Sequence, residues 1–191
     1  MDFSDEIDLM RKFDLNESLY NKQNYGHAAN AASKDHAEED KANPDGDPSA
    51  NMFMRWKFTE DDVQFPKFIE VAKWFALDTS KKRTWKFHDQ VPNNQLMIHI
   101  DNLPGIPSEE RVMSDEFKHS DQIRFLVLLE DWEPGQIIQF GNCVETQWHR
   151  GTAFTWEWST LPHATWNGSW RKRPALQITG TPTEETFAKI G

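Results

Sequence analysis

The hydrophobic residues of the first twenty positions recur at helical spacing, and those of the next thirty are sparse. Phe3, Ile7, Met10 and Phe13 fall on one stripe, which predicts a short amphipathic helix within residues 3–19. Residues 21–50 are polar and contain few large apolar side chains, which is typical of a flexible linker. We therefore predict an N-terminal arm over residues 1–50 and one folded domain over residues 51–191.

Within the folded domain, the pattern predicts one helix followed by many short strands. The helix begins near Pro66 and its apolar positions continue to Leu77. Runs typical of strands are separated by Gly and Pro clusters; they cover 52–60, 84–88, 95–101, 124–131, 136–142, 152–158 and 175–180. Short helices could begin at Ser108 and Thr183. Because no full helix separates the strands, we predict an antiparallel barrel or sandwich.

The composition limits the classes of partner that we expect and indicates the cellular compartment. The net charge of the 191 residues is −10, and twelve acidic against five basic residues place −7 of it in residues 1–50. A chain this acidic does not attract phosphate backbones, so we expect no nucleic acid partner. The single cysteine fits a reducing compartment, and neither a signal peptide nor a membrane span is evident. We expect a cytoplasmic protein without membrane contact, as a monomer or dimer.

The segment QLMIHID, residues 95–101, carries the first candidate chemistry. Strand alternation would place Leu96, Ile98 and Ile100 on one face, packed against the helix, and Met97, His99 and Asp101 on the other. His99 and Asp101 would then point into the interior together. A histidine from a distant strand would complete two imidazoles and one carboxylate, a ligand set that suits non-haem Fe(II). His163 is our candidate for that third ligand.

Arg173 stands ten residues after His163, at the start of a strand-like run. A guanidinium is a planar fork of donors that grips a carboxylate in a bidentate manner. If the strand over 173–179 runs beside a strand that ends near His163, Arg173 lies deeper in the barrel than the metal. A dicarboxylate could then chelate the metal at one end and meet Arg173 at the other.

With these residues, the stretch from about 90 to 180 resembles a known enzyme family. His99-Ile-Asp101, RFLVLLEDWEPGQIIQFGN, WHRGTAFTWEWSTLPHATWN and Arg173 are similar to the Fe(II)/2-oxoglutarate-dependent dioxygenases. The similarity is closest to small phage-type and bacterial members, prolyl-hydroxylase-like or aspartyl/asparaginyl β-hydroxylase-like. It implies a mainly β fold, a double-stranded β-helix (jelly-roll, cupin-like) barrel with a few flanking helices.

The resemblance also implies cofactors and roles. Fe(II) would be held by His99, Asp101 and His163, and the co-substrate 2-oxoglutarate would pair with Arg173. O₂ would be the oxidant, and decarboxylation to succinate would be coupled to hydroxylation of a substrate. The chain departs from the family's R-x-S pattern because Pro174 and Ala175 follow Arg173, so a second contact to the co-substrate carboxylate is not identified. Residues 1–50 match nothing in the family.

Several residues keep alternative interpretations. His119 and Asp121 form a second H-x-D, but HSDQ is polar and typical of a loop, so we favour His99 and Asp101. Asn167 could touch the co-substrate or close a turn. Gln139 and Gln177 could face inward and bind the bound acid or the substrate, or they could bond to each other. Trp166 could line the pocket wall, and Arg124 could pair with a substrate carboxylate or with Asp121. We expect His27, His36 and His88 to be solvated.

Three other functions compete with the oxygenase. One is a non-catalytic cupin-like protein that binds a metal or ligand, which has no reason to bury Arg173 opposite the metal. Another is an enzyme that uses the same iron without 2-oxoglutarate, for which Arg173 should be exposed. A third is an assembly protein that keeps the barrel as a scaffold. The substrate of the oxygenase would be a small molecule or a side chain of a peptide or protein.

Overall fold

A computed structural model describes residues 1–13, 53–100, 122–158 and 160–190. Its helices and strands follow one another as α1 (Ser4–Phe13), β1 (Phe53–Phe58), α2 (Pro66–Trp74), β2 (Thr84–Gln90), β3 (Asn94–His99), β4 (Ile123–Leu128), β5 (Gln136–Phe140), β6 (Cys143–Glu145), β7 (Ala153–Thr155), β8 (His163–Asn167), β9 (Arg173–Gly180) and α3 (Glu184–Ile190). No helix in these ranges is long and apolar enough to cross a membrane.

The strands form two antiparallel sheets that face each other. One sheet has the order β1-β2-β9-β4-β7 and the other the order β3-β8-β5-β6. From β2 to β9, successive strands change sheet at almost every step, and only β5 and β6 are consecutive neighbours. This winding is that of a jelly roll, in which eight strands close two sheets over one interior. The predicted mainly β, double-stranded β-helix fold is therefore confirmed.

The helices cover the outer face of the five-stranded sheet. A single apolar cluster joins α1 and α2 to this face; its members include Phe3, Ile7, Met10, Phe68, Phe87, Phe125, Leu176 and Ile178. All of them are at most 2% exposed, and each large side chain buried in this way stabilises the fold by about 2 kcal/mol. Three residues of the stripe predicted at the N-terminus, Phe3, Ile7 and Met10, thus pack against the sheet.

Two polar contacts fasten α1 to its neighbours. The Glu6 carboxylate accepts hydrogen bonds from the backbone N–H groups of Lys67 and Phe68, at 2.7 and 2.9 Å. These groups belong to the first turn of α2, whose own N-cap residue has no capping side chain. On β2, the fully buried Asp89 receives two hydrogen bonds from the guanidinium of Arg11, at 2.8 and 3.0 Å.

The strand at residues 95–101 differs from the expected alternation. The register of β3 against β8 shifts between Leu96 and His99, so both of these residues pair with inward-facing positions of β8. Ile98 and Ile100 are 59% and 43% exposed and pack against no helix. The predicted apolar face of β3 was therefore wrong, because a bulge changes the phase and the helices cover the other sheet.

The neighbours of Arg173 also differ from the expected arrangement. β9 pairs with β2 and β4, whereas β8 begins at His163 and lies in the opposite sheet. Neither β8 nor β6 was predicted as a strand. The inward positions of β8 are His163, Thr165 and Asn167, and its apolar residues Ala164 and Trp166 alternate on the outer face, so the pattern is the inverse of that of a strand with an apolar inner face.

At the C-terminus, the cap predicted at Thr183 is confirmed, since its hydroxyl accepts the backbone N–H of Thr186 at 3.2 Å. Three other predictions lie outside the described residues: the linker over 21–50, the helix after Ser108, and the second H-x-D at His119.

The cap that Glu6 provides is testable by substitution. Replacing Glu6 with alanine leaves two N–H groups at the start of α2 without an acceptor, so we expect the free energy of unfolding to fall by about 2 kcal/mol. Urea denaturation measures this change. Asp5→Ala is the matched control, because Asp5 is exposed on the same helix. Equal effects of the two substitutions would contradict the capping role.

Candidate functional site

The inner face of the five-stranded sheet is lined by alternate residues of β9. Leu176 and Ile178 pack under the helices, so Arg173, Ala175, Gln177 and Thr179 face the second sheet. Ala175 contacts the second apolar cluster, which contains Leu128, Ile138 and Trp148 and lies between the sheets. In the register of β2 and β9, Arg173 is opposite Gln90, Ala175 opposite His88, and Gln177 opposite Lys86.

His99 and His163 meet on the second sheet. They are direct partners in the β3–β8 register, and their ring centroids are 4.4 Å apart with the planes inclined by 51°. His163 is 7% exposed, and the ring of Trp156 lies 5.2 Å from it. Nδ1 of His163 is 3.1 Å from the carbonyl oxygen of Leu161, which favours the tautomer with its proton on Nδ1 and the lone pair on Nε2. This tautomer is the one that binds a metal through Nε2.

The third predicted ligand, Asp101, lies outside the described residues. Within the described ranges, no group of three His, Cys, Asp or Glu side chains is close enough to hold a metal ion. Of the predicted metal ligands, the described residues therefore include the two imidazoles, at the end of β3 and the start of β8. That pair fits two of the three ligands of a His/His/carboxylate site, and its role stays a prediction.

Arg173 lies in the space between the sheets and is only 5% exposed. One of its amino groups donates to the carbonyl oxygen of Ile137 at 3.2 Å, and the other donates to Oγ1 of Thr165. Among the described residues it forms no ion pair with a carboxylate, and burial alone lowers the pKa of Arg173 from 12.5 to about 9. The group remains charged at neutral pH, and three of its five N–H donors have no protein acceptor in the described ranges.

The position of the guanidinium is set by residues that the sequence did not single out. The hydroxyl of Thr165 donates to Oε1 of Gln90 at 2.9 Å while its oxygen accepts from Arg173. Nε2 of Gln90 in turn donates to the carbonyl oxygen of Asn94 at 3.1 Å. Gln90 is fully buried at the end of β2, and a polar residue that ends a buried strand was the only signal for it.

The spacing of His163 and Thr165 along β8 suits a small molecule that spans from one to the other. His163 and Thr165 are successive inward residues of β8, and Thr165 contacts Arg173. Two residues along a strand span roughly 7 Å. A compact dicarboxylate could therefore reach a metal at His163 with one end and the guanidinium with the other.

Asn167 closes a turn. Its Nδ2 donates to the carbonyl oxygens of Gln90 and Arg171, at 2.9 and 2.8 Å. Its Oδ1 accepts from the hydroxyl and the backbone N–H of Ser169. The turn therefore occupies both amide hydrogens and the carbonyl oxygen of Asn167. The structure shows one of the two roles considered for Asn167, closure of the turn, and contact with the co-substrate stays a prediction.

Other predicted pocket residues are divided between the two faces of the sheets. Gln177 faces inward, as expected. Gln139 was expected to face inward, but it lies on the outer face because its neighbour Ile138 is buried, and its amide donates to the carbonyl oxygen of Gly141. Trp166 is 49% exposed on the outer face of β8, so it does not line the interior. Trp156 is the aromatic residue beside His163 instead.

Two further charged or polar residues lie on the inner face. Arg124 is 6% exposed; its Nε donates to Oγ1 of Thr179 at 3.1 Å and its guanidinium lies 4.4 Å from the ring centroid of Trp158. His88 was expected to be solvated, yet it is 6% exposed because it alternates inward with Gln90. The neighbours of His88 on the same face of β2, Lys86 and Gln90, are polar, so no apolar pattern marked His88 as buried.

Comparisons with known proteins return only distant structural likenesses. No protein-family model matches the chain, and no curated protein matches it. Similar solved structures include a cupin domain of an XRE-family transcriptional regulator from Enterobacter cloacae, with 11% identity, a TM-score of 0.41, and coverage of 69% of this chain and 99% of that chain. The cupin domain of Schizosaccharomyces pombe Cnp3 has 5% identity and a TM-score of 0.41, over 72% of this chain and 71% of that chain. A predicted oxalate decarboxylase from Thermotoga maritima has 7% identity and a TM-score of 0.39, and the match covers 68% of this chain and 80% of that chain. Likenesses this distant say nothing about activity.

Arg173 and Arg11 make a test of whether Arg173 is held for stability. The half-buried Arg11 donates two hydrogen bonds to the fully buried Asp89, which also lies 3.6 Å from Lys172, so we expect Arg11→Met to lower the free energy of unfolding by about 2 kcal/mol. Arg173 neutralises no carboxylate in the described ranges, so we expect Arg173→Met to change it by no more than about 1 kcal/mol in protein stripped of ligands. Urea denaturation compares the two. A loss at Arg173 as large as that at Arg11 would make it a structural residue.

Proposed function

We propose that this protein is an Fe(II)- and 2-oxoglutarate-dependent dioxygenase. The observation that supports the proposal most strongly is the guanidinium of Arg173, which is buried between the sheets without a carboxylate among the described residues. It contacts Thr165, which is two residues along β8 from His163, and His163 faces His99 across the β3–β8 pair. A buried cation without an anion calls for an anionic ligand, and the imidazoles call for a metal at its other end.

In this proposal, His99 and His163 hold the metal from one sheet and Asp101 completes the set. When bound, Fe(II) with 2-oxoglutarate and O₂ supplies the oxidising chemistry, which yields succinate, CO₂ and a hydroxylated substrate. The chain's own residues orient the reactants: the carbonyl of Leu161 fixes the His163 ring, while Trp156 and Phe140 pack beside it and limit access of water.

Arg173 binds the distal carboxylate of 2-oxoglutarate and thereby aligns the other end of the molecule with the metal. Its charge is effective there because bulk water is excluded and no protein carboxylate competes for it in the described ranges. The hydrogen bonds to Ile137 and Thr165 fix the plane of the guanidinium before the ligand arrives. The substrate would be a small molecule or a peptide or protein side chain.

A second candidate is a non-catalytic cupin-like protein that binds a metal or ligand in the same interior. The buried guanidinium favours the oxygenase over it, since a plain metal site has no use for such a group. An iron enzyme independent of 2-oxoglutarate is disfavoured for a related reason, because it predicts an exposed Arg173, whereas Arg173 is 5% exposed. Release of succinate separates the oxygenase from both.

The metal ligands are tested by metal binding alone. We expect His99→Ala, Asp101→Ala and His163→Ala each to lose tight Fe(II) binding under anaerobic conditions, because each removes one of three protein ligands. The matched control is His149→Ala, whose side chain is 92% exposed in a turn. His119→Ala should also retain the metal. Loss of Fe(II) in His119→Ala together with its retention in His99→Ala would move the site to the second H-x-D, His119 and Asp121.

The co-substrate role of Arg173 predicts a separation of two affinities. Arg173→Met should keep Fe(II) but bind 2-oxoglutarate about 100-fold more weakly, because the distal carboxylate loses a buried charged partner. Anaerobic calorimetry measures both affinities, and succinate release in air measures turnover. Arg171→Met is the control, since Arg171 is a neighbouring arginine with a side chain that is 73% exposed. Undiminished affinity for 2-oxoglutarate in Arg173→Met would count against the proposal.

A further inference from the structure

Two tryptophans between the sheets bury an indole N–H that has no acceptor among the described residues. They are Trp148 and Trp156, and in both the Nε1 atom is shielded from solvent. Trp148 is only 5% exposed as a whole residue. A buried donor without a partner is costly, and native proteins nearly always satisfy such groups with protein, water or ligand. An unsatisfied donor in the interior of a candidate site therefore indicates where a ligand acceptor belongs.

Trp148 shares one compartment with Arg173. Its indole packs with Leu128, Ile138 and Ala175 in the apolar cluster between the sheets, and its ring centroid lies 5.7 Å from Cζ of Arg173. Ala175 is the next inward residue after Arg173 on β9, and its small side chain offers no hydrogen-bond donor. A carboxylate bound by the guanidinium has its oxygens about 2.8 Å from the guanidinium nitrogens, so it shares the space beside the guanidinium with the indole of Trp148.

The polar group that contacts the guanidinium directly, the hydroxyl of Thr165, is already engaged. The hydroxyl hydrogen of Thr165 is directed to Gln90, and its oxygen accepts from Arg173, so Thr165 positions the guanidinium without donating to a ligand. We propose that Nε1–H of Trp148 is the second donor to the distal carboxylate of 2-oxoglutarate, alongside Arg173. This inference rests on the proposed function and supplies the contact that the Arg173-Pro174-Ala175 sequence leaves without a residue.

If Trp148 donates to the distal carboxylate, one substitution should weaken binding of 2-oxoglutarate and leave binding of 2-oxobutyrate unchanged. Trp148→Phe keeps a large ring and removes the N–H, so the distal carboxylate loses one charge-assisted hydrogen bond. In Zn(II)-loaded protein, calorimetry should show affinity for 2-oxoglutarate falling about tenfold or more. Affinity for 2-oxobutyrate, which lacks the distal carboxylate, should be unchanged. Trp170→Phe is the matched control; Trp170 is 96% exposed, so this change should not alter the ratio of the two affinities.

A second measurement needs no substitution. Among the nine indole N–H resonances of the ¹⁵N-labelled Zn(II) protein, we expect the one with contacts to Leu128 and Ile138 to move downfield with 2-oxoglutarate and not with 2-oxobutyrate. An unmoved resonance, unchanged affinities in Trp148→Phe, or an equal loss for both ligands would overturn the role of Trp148. Failure of the unaltered protein to bind 2-oxoglutarate would overturn the proposed function as well.

Discussion

The charge of Arg173 has to be balanced in a space that water hardly reaches. Its side chain is held by an acceptor from β5 and another from β8, but neither carries a negative charge. Burial of such a cation works against the folded state, which is visible as a pKa lowered to about 9. A bound anion would remove this penalty, so ligand binding and stability are linked in this barrel.

The winding of the strands explains how the reactive groups come together. β3 and β8 are neighbours in one sheet, so His99 and His163 face each other directly. β9 lies in the other sheet, so Arg173 approaches Thr165 from the opposite side of the interior. The bulge in β3 turns the His99 ring toward His163, which a regular strand with Leu96 inward would not do.

The helices support the five-stranded sheet, which contains β9 and Arg173, on its outer face. The two helices cover the backs of β2, β4 and β9 with aromatic and aliphatic side chains. The ion pair between Arg11 and Asp89 lies on the outer side of β2, one residue before Gln90, which helps to position Arg173 from the inner side. Fixing β2 on its outer face therefore also fixes the start of the network that holds the guanidinium.

The fold was predictable where the buried side chains are apolar. The stripe of α1, the helix after Pro66 and most strands of the five-stranded sheet follow from apolar periodicity. β8 was missed because its inward residues are polar, and the phase of β3 was missed because a bulge leaves no mark in composition. His99, His163 and Arg173 were predicted as site residues from their chemistry and order, and that role stays a prediction. Gln90, Thr165 and Trp148 were not predicted, since only the folded chain shows that their polar groups meet Arg173 or lack a partner.

The most direct test is an anaerobic titration of the Fe(II)-loaded protein with 2-oxoglutarate, followed by absorption spectroscopy. Chelation of Fe(II) by the keto and carboxylate oxygens of the co-substrate produces a charge-transfer band. The account predicts a band that saturates at one 2-oxoglutarate per chain and that glutarate, which lacks the keto group, does not produce. A protein that binds Fe(II) tightly yet shows no band at any concentration of 2-oxoglutarate would contradict it.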